Sequence, residues 1–320
     1  LKKVLYISRK AQRCGVHDYG ERIVNILKTS QKYEYAVSYP DNNKEFLATV
    51  FGYKPDAIIY NYYPSTLYWL NEHTKDIIDT PQIIIYHESS VGFTPDGICK
   101  VDCTGGDDLE NNIVHLPRPL HDNLSQTEFL NYNVPVVGSF GFGFANKNFP
   151  YIAQLVKEQF DEAVLRLSIP YAEFGDNDGR SARFEVDKIK QILSGTNIKL
   201  EVNHSFLDPQ ELYNFLSNND INVFCYDIMP GRSISGSTDY ALSVKKPIAL
   251  SRSNMFNHFH KYNLDIYVDQ TPLKTIMEKG IEQLQPMYKE HCNSNILEKI
   301  ESVISKAITK GNKNNSWIKF

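Results

Sequence analysis

Residues 135–150 read Pro135-Val136-Val137-Gly138-Ser139-Phe140-Gly141-Phe142-Gly143-Phe144-Ala145-Asn146-Lys147-Asn148-Phe149-Pro150, and the run changes character twice. Pro135 to Phe140 is apolar enough for a strand buried on both faces, the glycines then break it, and Asn148-Phe149-Pro150 opens a helix through Ile152, Leu155 and Val156. Strand, glycine turn and helix in that order begin a βαβ unit. Apolar runs continue the pattern at Ala163 to Ile169, Ile198 to Asn203, Ile221 to Tyr226, Pro247 to Ser251 and Asp265 to Val268. Upstream, a first set occupies Val4 to Ser8, Tyr35 to Tyr39, Ala57 to Asn61, Gln82 to His87 and Ile113 to Leu116. Two sets of buried strands with amphipathic segments between them predict two doubly wound, parallel α/β sheets.

Pro117-Arg118-Pro119 and a polar stretch to Asn133 interrupt regular structure between the sets. A chain of 320 residues also exceeds what one core usually supports. The expected fold class is therefore α/β, with two Rossmann-like domains, residues 1–125 and residues 134–295, and a helix and tail at 296–320. That helix carries Ile296, Leu297, Ile300 and Ile304, an apolar face to pack back on the first domain or to serve an interface. A second helix start is marked at Asp208-Pro209-Gln210-Glu211, where Asp208 can cap and Glu211 completes a capping box.

A net charge of −4 gives no whole-surface attraction to nucleic acid or anionic lipid, so no nucleic-acid partner is expected. No apolar stretch approaches the roughly 18 residues of a membrane span, which leaves peripheral membrane contact open. The first strand begins too early for a signal peptide, and a cytoplasmic location is expected. Five scattered cysteines argue against a disulfide framework; Cys99 and Cys103 are close, but no further ligands stand beside them for a metal.

Ligands of doubly wound sheets bind beyond the carboxyl ends of the strands, and four loops there are unusual. The first, Ser8 to Gly20, contains Arg9, Arg13, Gly15, Val16 and His17; Gly15 would let backbone approach a ligand, or the loop is a plain turn with solvated arginines. It lacks the dinucleotide glycine fingerprint. The second, His87-Glu88-Ser89-Ser90, places titratable groups at a strand end, where His87 can bond a substrate hydroxyl or phosphate or simply cap a helix. The third carries Gly141, Gly143 and Lys147, open amides and a point charge able to hold a diphosphate, or else a turn packed by Phe140, Phe142 and Phe144. The fourth, Pro230 to Leu242, offers Arg232, Ser235, Gly236 and Ser237 before a helix, a second anion site or a helix cap. Tyr62, Tyr63, Tyr68 and Trp69 could stack on a ligand ring or belong to the core.

The order of these motifs resembles the retaining GT-B glycosyltransferases of family 4. The best match is the segment His204-Ser205-Phe206-Leu207-Asp208-Pro209-Gln210-Glu211-Leu212-Tyr213 through Asp220-Ile221-Asn222-Val223-Phe224. The resemblance implies that Gly15 and Val16 lie near donor and acceptor, that His87 contacts the transferred sugar, and that Lys147 holds the donor diphosphate. Gly231 to Tyr240 stands where the family has its Glu-x7-Glu region. Here Gly141 replaces the family's arginine, and Arg232 and Asp239 or Tyr240 replace its glutamates. Asp239 is then expected to bond a ribose hydroxyl and Arg232 to restore the positive charge. The resemblance further implies that the two domains face each other across a cleft, residues 1–125 on the acceptor side and residues 134–295 binding the nucleotide sugar; the first domain is short, so a reduced acceptor side is expected.

The implied function is transfer of a sugar from a nucleotide diphosphate donor to a glycan or small acceptor, with retention. Lys147, Arg232 and the amides around Ser235 to Ser237 would stabilise the leaving diphosphate, so no cofactor is needed. With no Asp-x-Asp read in the chain, metal independence is expected. Two other readings stay open: a catalytically degenerate GT-B-like protein that binds a glycan or nucleotide, and a sugar-nucleotide epimerase. Donor base, sugar, acceptor, linkage and oligomeric state are not legible in these motifs.

Overall fold

The computed structural model describes residues 1–10, 14–71, 74, 77–87, 99–102, 113–172, 175–232 and 234–314. Of the residues singled out above, Arg13, Glu88, Ser89, Ser90 and Cys103 lie outside them.

The chain divides into two compact units, one of Leu1–Pro119, Gly231–Ile234 and Lys289–Phe320, the other of Leu120–Pro230 and Ser235–Tyr288. The first unit thus ends before residue 125, and the stretch from Lys289 to Asn295, expected with the second domain, groups with the first.

The first unit holds six parallel strands in the order β2-β1-β3-β4-β5-β6: β1 Lys2–Ile7, β2 Tyr33–Ser38, β3 Ala57–Tyr62, β4 Gln82–Tyr86, β5 Cys99–Asp102 and β6 Ile113–His115. Alternation along the strands sorts the core into two layers. Val4, Tyr6, Ile59, Ile83 and Ile85 pack with Ile23, Ile26 and Leu27 of α1 (Gly15–Leu27) on one face. Leu5, Ile7, Ile58, Tyr60 and Ile84 pack with Phe46 and Val50 of α2 (Asn43–Tyr53) and with Trp69 on the other.

The second unit has five parallel strands in the order β11-β10-β7-β8-β9: β7 Val136–Phe140, β8 Glu162–Ser168, β9 Asn197–Asn203, β10 Ile221–Phe224 and β11 Ile248–Leu250. One face is covered by α3 (Phe149–Gln159), α4 (Arg180–Leu193) and Leu273 and Ile276. The other packs Phe224, Ile248 and Leu250 against Ala241 and Leu242 of α6 (Ser237–Ser243), α5 (Pro209–Ser217) lying before it in the chain. Both units are Rossmann-like. Asp208 and Glu211 form the reciprocal capping box of α5, each bond 2.8 Å.

Three expectations are corrected. Asp265 to Val268 is no strand of the sheet; only a single bridge joins Tyr267 to Leu250, because Asp265 and Asp269 flank too short an apolar run. β5 was not expected, since Cys99-Lys100-Val101-Asp102 has neither an apolar run nor β-rich composition. The terminal helix, α7 (Asn293–Asn314), starts before Ile296 and runs on into the polar stretch expected as tail, and Ile296, Ile300, Val303, Ile304 and Ile308 join the α1 layer of the first unit.

Candidate functional site

In the second unit the chain starts at β7, lays β8 and β9 to one side, and returns to lay β10 and β11 on the other. The direction of winding reverses between β7 and β10, and the carboxyl ends flanking such a reversal are where doubly wound sheets take ligands. Three loop segments gather there. Gly141, just past β7, has φ +147°, a region that favours glycine, and a Cβ built on it would lie 3.6 Å from the Tyr226 hydroxyl and 3.8 Å from Cδ and Cε of Lys147. Lys147 closes the 3₁₀ turn Ala145–Lys147 and lays its ammonium over the Tyr226 ring, 3.6 Å from the centroid. The lysine is half-buried, yet among the described residues no carboxylate pairs with it.

Tyr226, two residues beyond β10, is 2 % exposed and donates its hydroxyl to Ser237 Oγ at 3.0 Å; Ser237 Oγ lies 2.7 Å from Ser235 Oγ. Ser235 is fixed by its N–H on the Met255 carbonyl (3.0 Å) and by Thr238 Oγ1 on its own carbonyl (2.9 Å). A cation without a described carboxylate partner and linked hydroxyls therefore meet at the switch point, an arrangement suited to an anion.

Other predicted residues stand differently. The amides expected to be open at Ser235 and Ser237 are engaged: Ser235 N–H donates to the Met255 carbonyl, and Ser237 N–H donates to Ser235 Oγ at 3.4 Å, a small hydroxyl folding back on nearby backbone. Gly236 is the N-cap of α6, in ordinary helical backbone. Gly143 serves packing: a Cβ there would come within 2.3 Å of the Ala182 Cα on α4. Asp239 is buried, 1 % exposed, and Tyr240 stacks on His121 with centroids 3.8 Å apart. Arg232 is exposed and belongs to the segment that groups with the first unit. An Asp-x-Asp does occur, Asp176-Asn177-Asp178, contrary to the expectation from sequence. Asp176 accepts the N–H groups of Ser181 (2.7 Å) and Ala182 (3.0 Å), and Asp178 accepts Arg180 N–H at 3.1 Å, so the pair starts α4. Among the described residues no three His, Cys, Asp or Glu side chains gather as a metal site.

The first unit has its own cluster at the β1/β3 reversal. His87, directly after β4, is 7 % exposed; its Nε2 lies 2.6 Å from Asn61 Oδ1, and Tyr19 meets it edge-on at 4.7 Å. Asn61 Nδ2 donates to the Val16 carbonyl at 2.8 Å and to Ser8 Oγ at 3.1 Å. A carbonyl only accepts, so the amide nitrogen must face Val16, Oδ1 must face His87, and the histidine must carry its proton on Nε2. Val16 therefore acts through its backbone, while beside Gly15 there is open space. Tyr62 and Trp69 are core residues; Tyr68 is 65 % exposed. Sequence reasoning misses Asn61 and Tyr226. Both carry a polar or hydroxyl-bearing side chain at or just beyond the carboxyl end of an otherwise apolar strand, which in sequence reads as core.

No family model and no curated protein matches the chain in sequence. Solved structures do match it in shape. AviGT4, a glycosyltransferase involved in avilamycin A biosynthesis, aligns with TM-score 0.64 at 12 % identity over 97 % of this chain and 99 % of its own. A glycosyltransferase from Rickettsia africae gives 0.63 at 12 % over 98 % and 99 %. The chain has the GT-B fold. HepE of Anabaena, solved in complex with UDP and glucose, gives 0.56 at 12 % identity, with 98 % of both chains covered. At this identity the likeness carries the GT-B fold, and the activity has to be argued from the site. Among the described residues no helix is long and apolar enough to cross a membrane.

Proposed function

We propose that the chain is a retaining glycosyltransferase that moves a sugar from a nucleotide diphosphate sugar to a glycan or small acceptor, using neither metal nor other cofactor. The carrying observation is the ammonium of Lys147, unpaired with any described carboxylate and set beside the Tyr226, Ser237 and Ser235 hydroxyls at the β7/β10 reversal. As the glycosidic bond breaks, negative charge grows on the leaving diphosphate. Fixed donors that meet that charge in a partly desolvated site lower the barrier more than mobile water can. Lys147 supplies the charge and the hydroxyls supply directed hydrogen bonds. His87, held in one tautomer by Asn61, positions or polarises the transferred sugar. The buried Asp239 is assigned no contact with the donor. The structural likeness to HepE, solved with UDP and glucose, supports a nucleotide sugar as ligand.

Incubation with a panel of nucleotide sugars, followed by assay of free nucleoside diphosphate, tests the reading. Slow donor hydrolysis that Lys147→Ala abolishes is the expected result. Interconversion of sugars without release would replace it with an epimerase, and binding without turnover would replace it with a recognition protein.

A further inference from the structure

Tyr226 belongs by burial to the apolar layer with Phe224 and Phe256, yet its two ends touch the two halves of the site. Its face carries the Lys147 ammonium at 3.6 Å, and its hydroxyl donates to Ser237 Oγ at 3.0 Å. A buried ammonium normally recruits a carboxylate, which would cancel its charge; an aromatic face holds a cation through its quadrupole and leaves the net charge in place for an anion. The hydroxyl end adds direction. With the Tyr226 hydrogen committed to Ser237, the Ser237 hydrogen can pass to Ser235 Oγ at 2.7 Å, and the Ser235 hydrogen, which has no acceptor among the described residues, can donate to a bound anion.

We propose that Tyr226 is the positioning residue of the diphosphate site: it holds Lys147 in place without neutralising it and aligns the Ser237 and Ser235 hydroxyls toward the same anion. This rests on the diphosphate reading of the site and adds a residue which that reading does not require.

Titration of the full chain with UDP and with inorganic pyrophosphate, for wild type, Lys147→Ala, Tyr226→Phe, Tyr226→Leu and the two double variants with Lys147→Ala, separates the two claims. Tyr226→Phe keeps the ring and loses the hydroxyl, so affinity should fall about three- to tenfold, the scale of one hydrogen bond. Tyr226→Leu loses both and should fall further, by up to about thirtyfold more, the scale of a desolvated cation–π contact. In the Lys147→Ala background that second step should vanish, because no ammonium remains to be held. A merely structural tyrosine would give equal losses in both backgrounds. Equal losses, or a Tyr226→Phe chain that binds like wild type, would overturn the proposal while Lys147→Ala still loses binding. Failure of the wild type to bind UDP or pyrophosphate would overturn the diphosphate reading itself, and the role of Tyr226 with it. Tyr226→Phe, which changes one oxygen, keeps the test decisive if Tyr226→Leu fails to fold.

Discussion

At Lys147 the half-buried side chain is held by an aromatic contact and by no described carboxylate, so removing it should cost function and little else. Lys147→Ala is expected to lower turnover by ~10²–10³-fold, the scale for losing one donor to a developing anion, with an unchanged melting temperature as the control. Gly143→Ala should behave in the opposite way. Its methyl would press on the α4 backbone at Ala182, and a loss of ~1–3 kcal/mol in denaturant unfolding is expected. The thiols give a third check. Burial pushes the Cys225 thiol well above its usual range, whereas the hydrogen bond with Ser294 lowers that of half-buried Cys292. Iodoacetamide at about pH 8 should label Cys292 in the native chain and Cys225 only after unfolding, as peptide mapping would report. Lys147, Ser235 and Ser237 are legible as candidates in the sequence because each follows or precedes an element with clear signals. Tyr226 and Asn61 are not, since a lone aromatic or amide ending a buried strand reads as core until its partners are known. The same blindness hides Asp176-Asn177-Asp178, whose use as a helix cap depends on a loop geometry that spacing does not encode.

Elements are easiest to read where local chemistry and burial agree. The Asp208 and Glu211 capping box is an instance: its donors and acceptors lie within four residues, so no tertiary information is needed. Asp208→Ala should cost ~1 kcal/mol, measured as a shift of the denaturation midpoint. The polar stretch after Pro119 reads as a plain linker and is not one. Asn214 and Asn218, at α5 and its C-cap, accept the N–H groups of Thr127 (2.9 Å) and Leu130 (2.7 Å), and Asn218 Nδ2 donates to the Glu128 carbonyl at 2.9 Å. Hydrogen bonds spanning nearly ninety positions leave no periodic trace in the sequence. β5 escapes for a related reason, its four residues taking strand form only from the neighbours on either side.

For the whole molecule, the two sets of apolar runs are enough to predict two parallel α/β sheets, because strands buried on both faces must be apolar along their length. Which residues join which unit is less legible, since α7 returns to the first unit from the far end of the chain. That return has a testable consequence. Ile300 and Ile304, 4 % and 0 % exposed, belong to the same layer as Val4 and Ile59, so Ile304→Ala should destabilise the first unit by ~2–5 kcal/mol in denaturant unfolding. In the second unit, the β7/β10 reversal and Lys147, which no described carboxylate pairs, are where the proposed diphosphate would bind. A crystal structure of the chain with UDP measures that most directly. Both phosphates are predicted at the carboxyl ends of β7 and β10, with an oxygen ~3 Å from Lys147 Nζ and another within reach of the Ser235 hydroxyl. Phosphates bound at the amino ends of those strands, or nowhere near Lys147, would contradict the account.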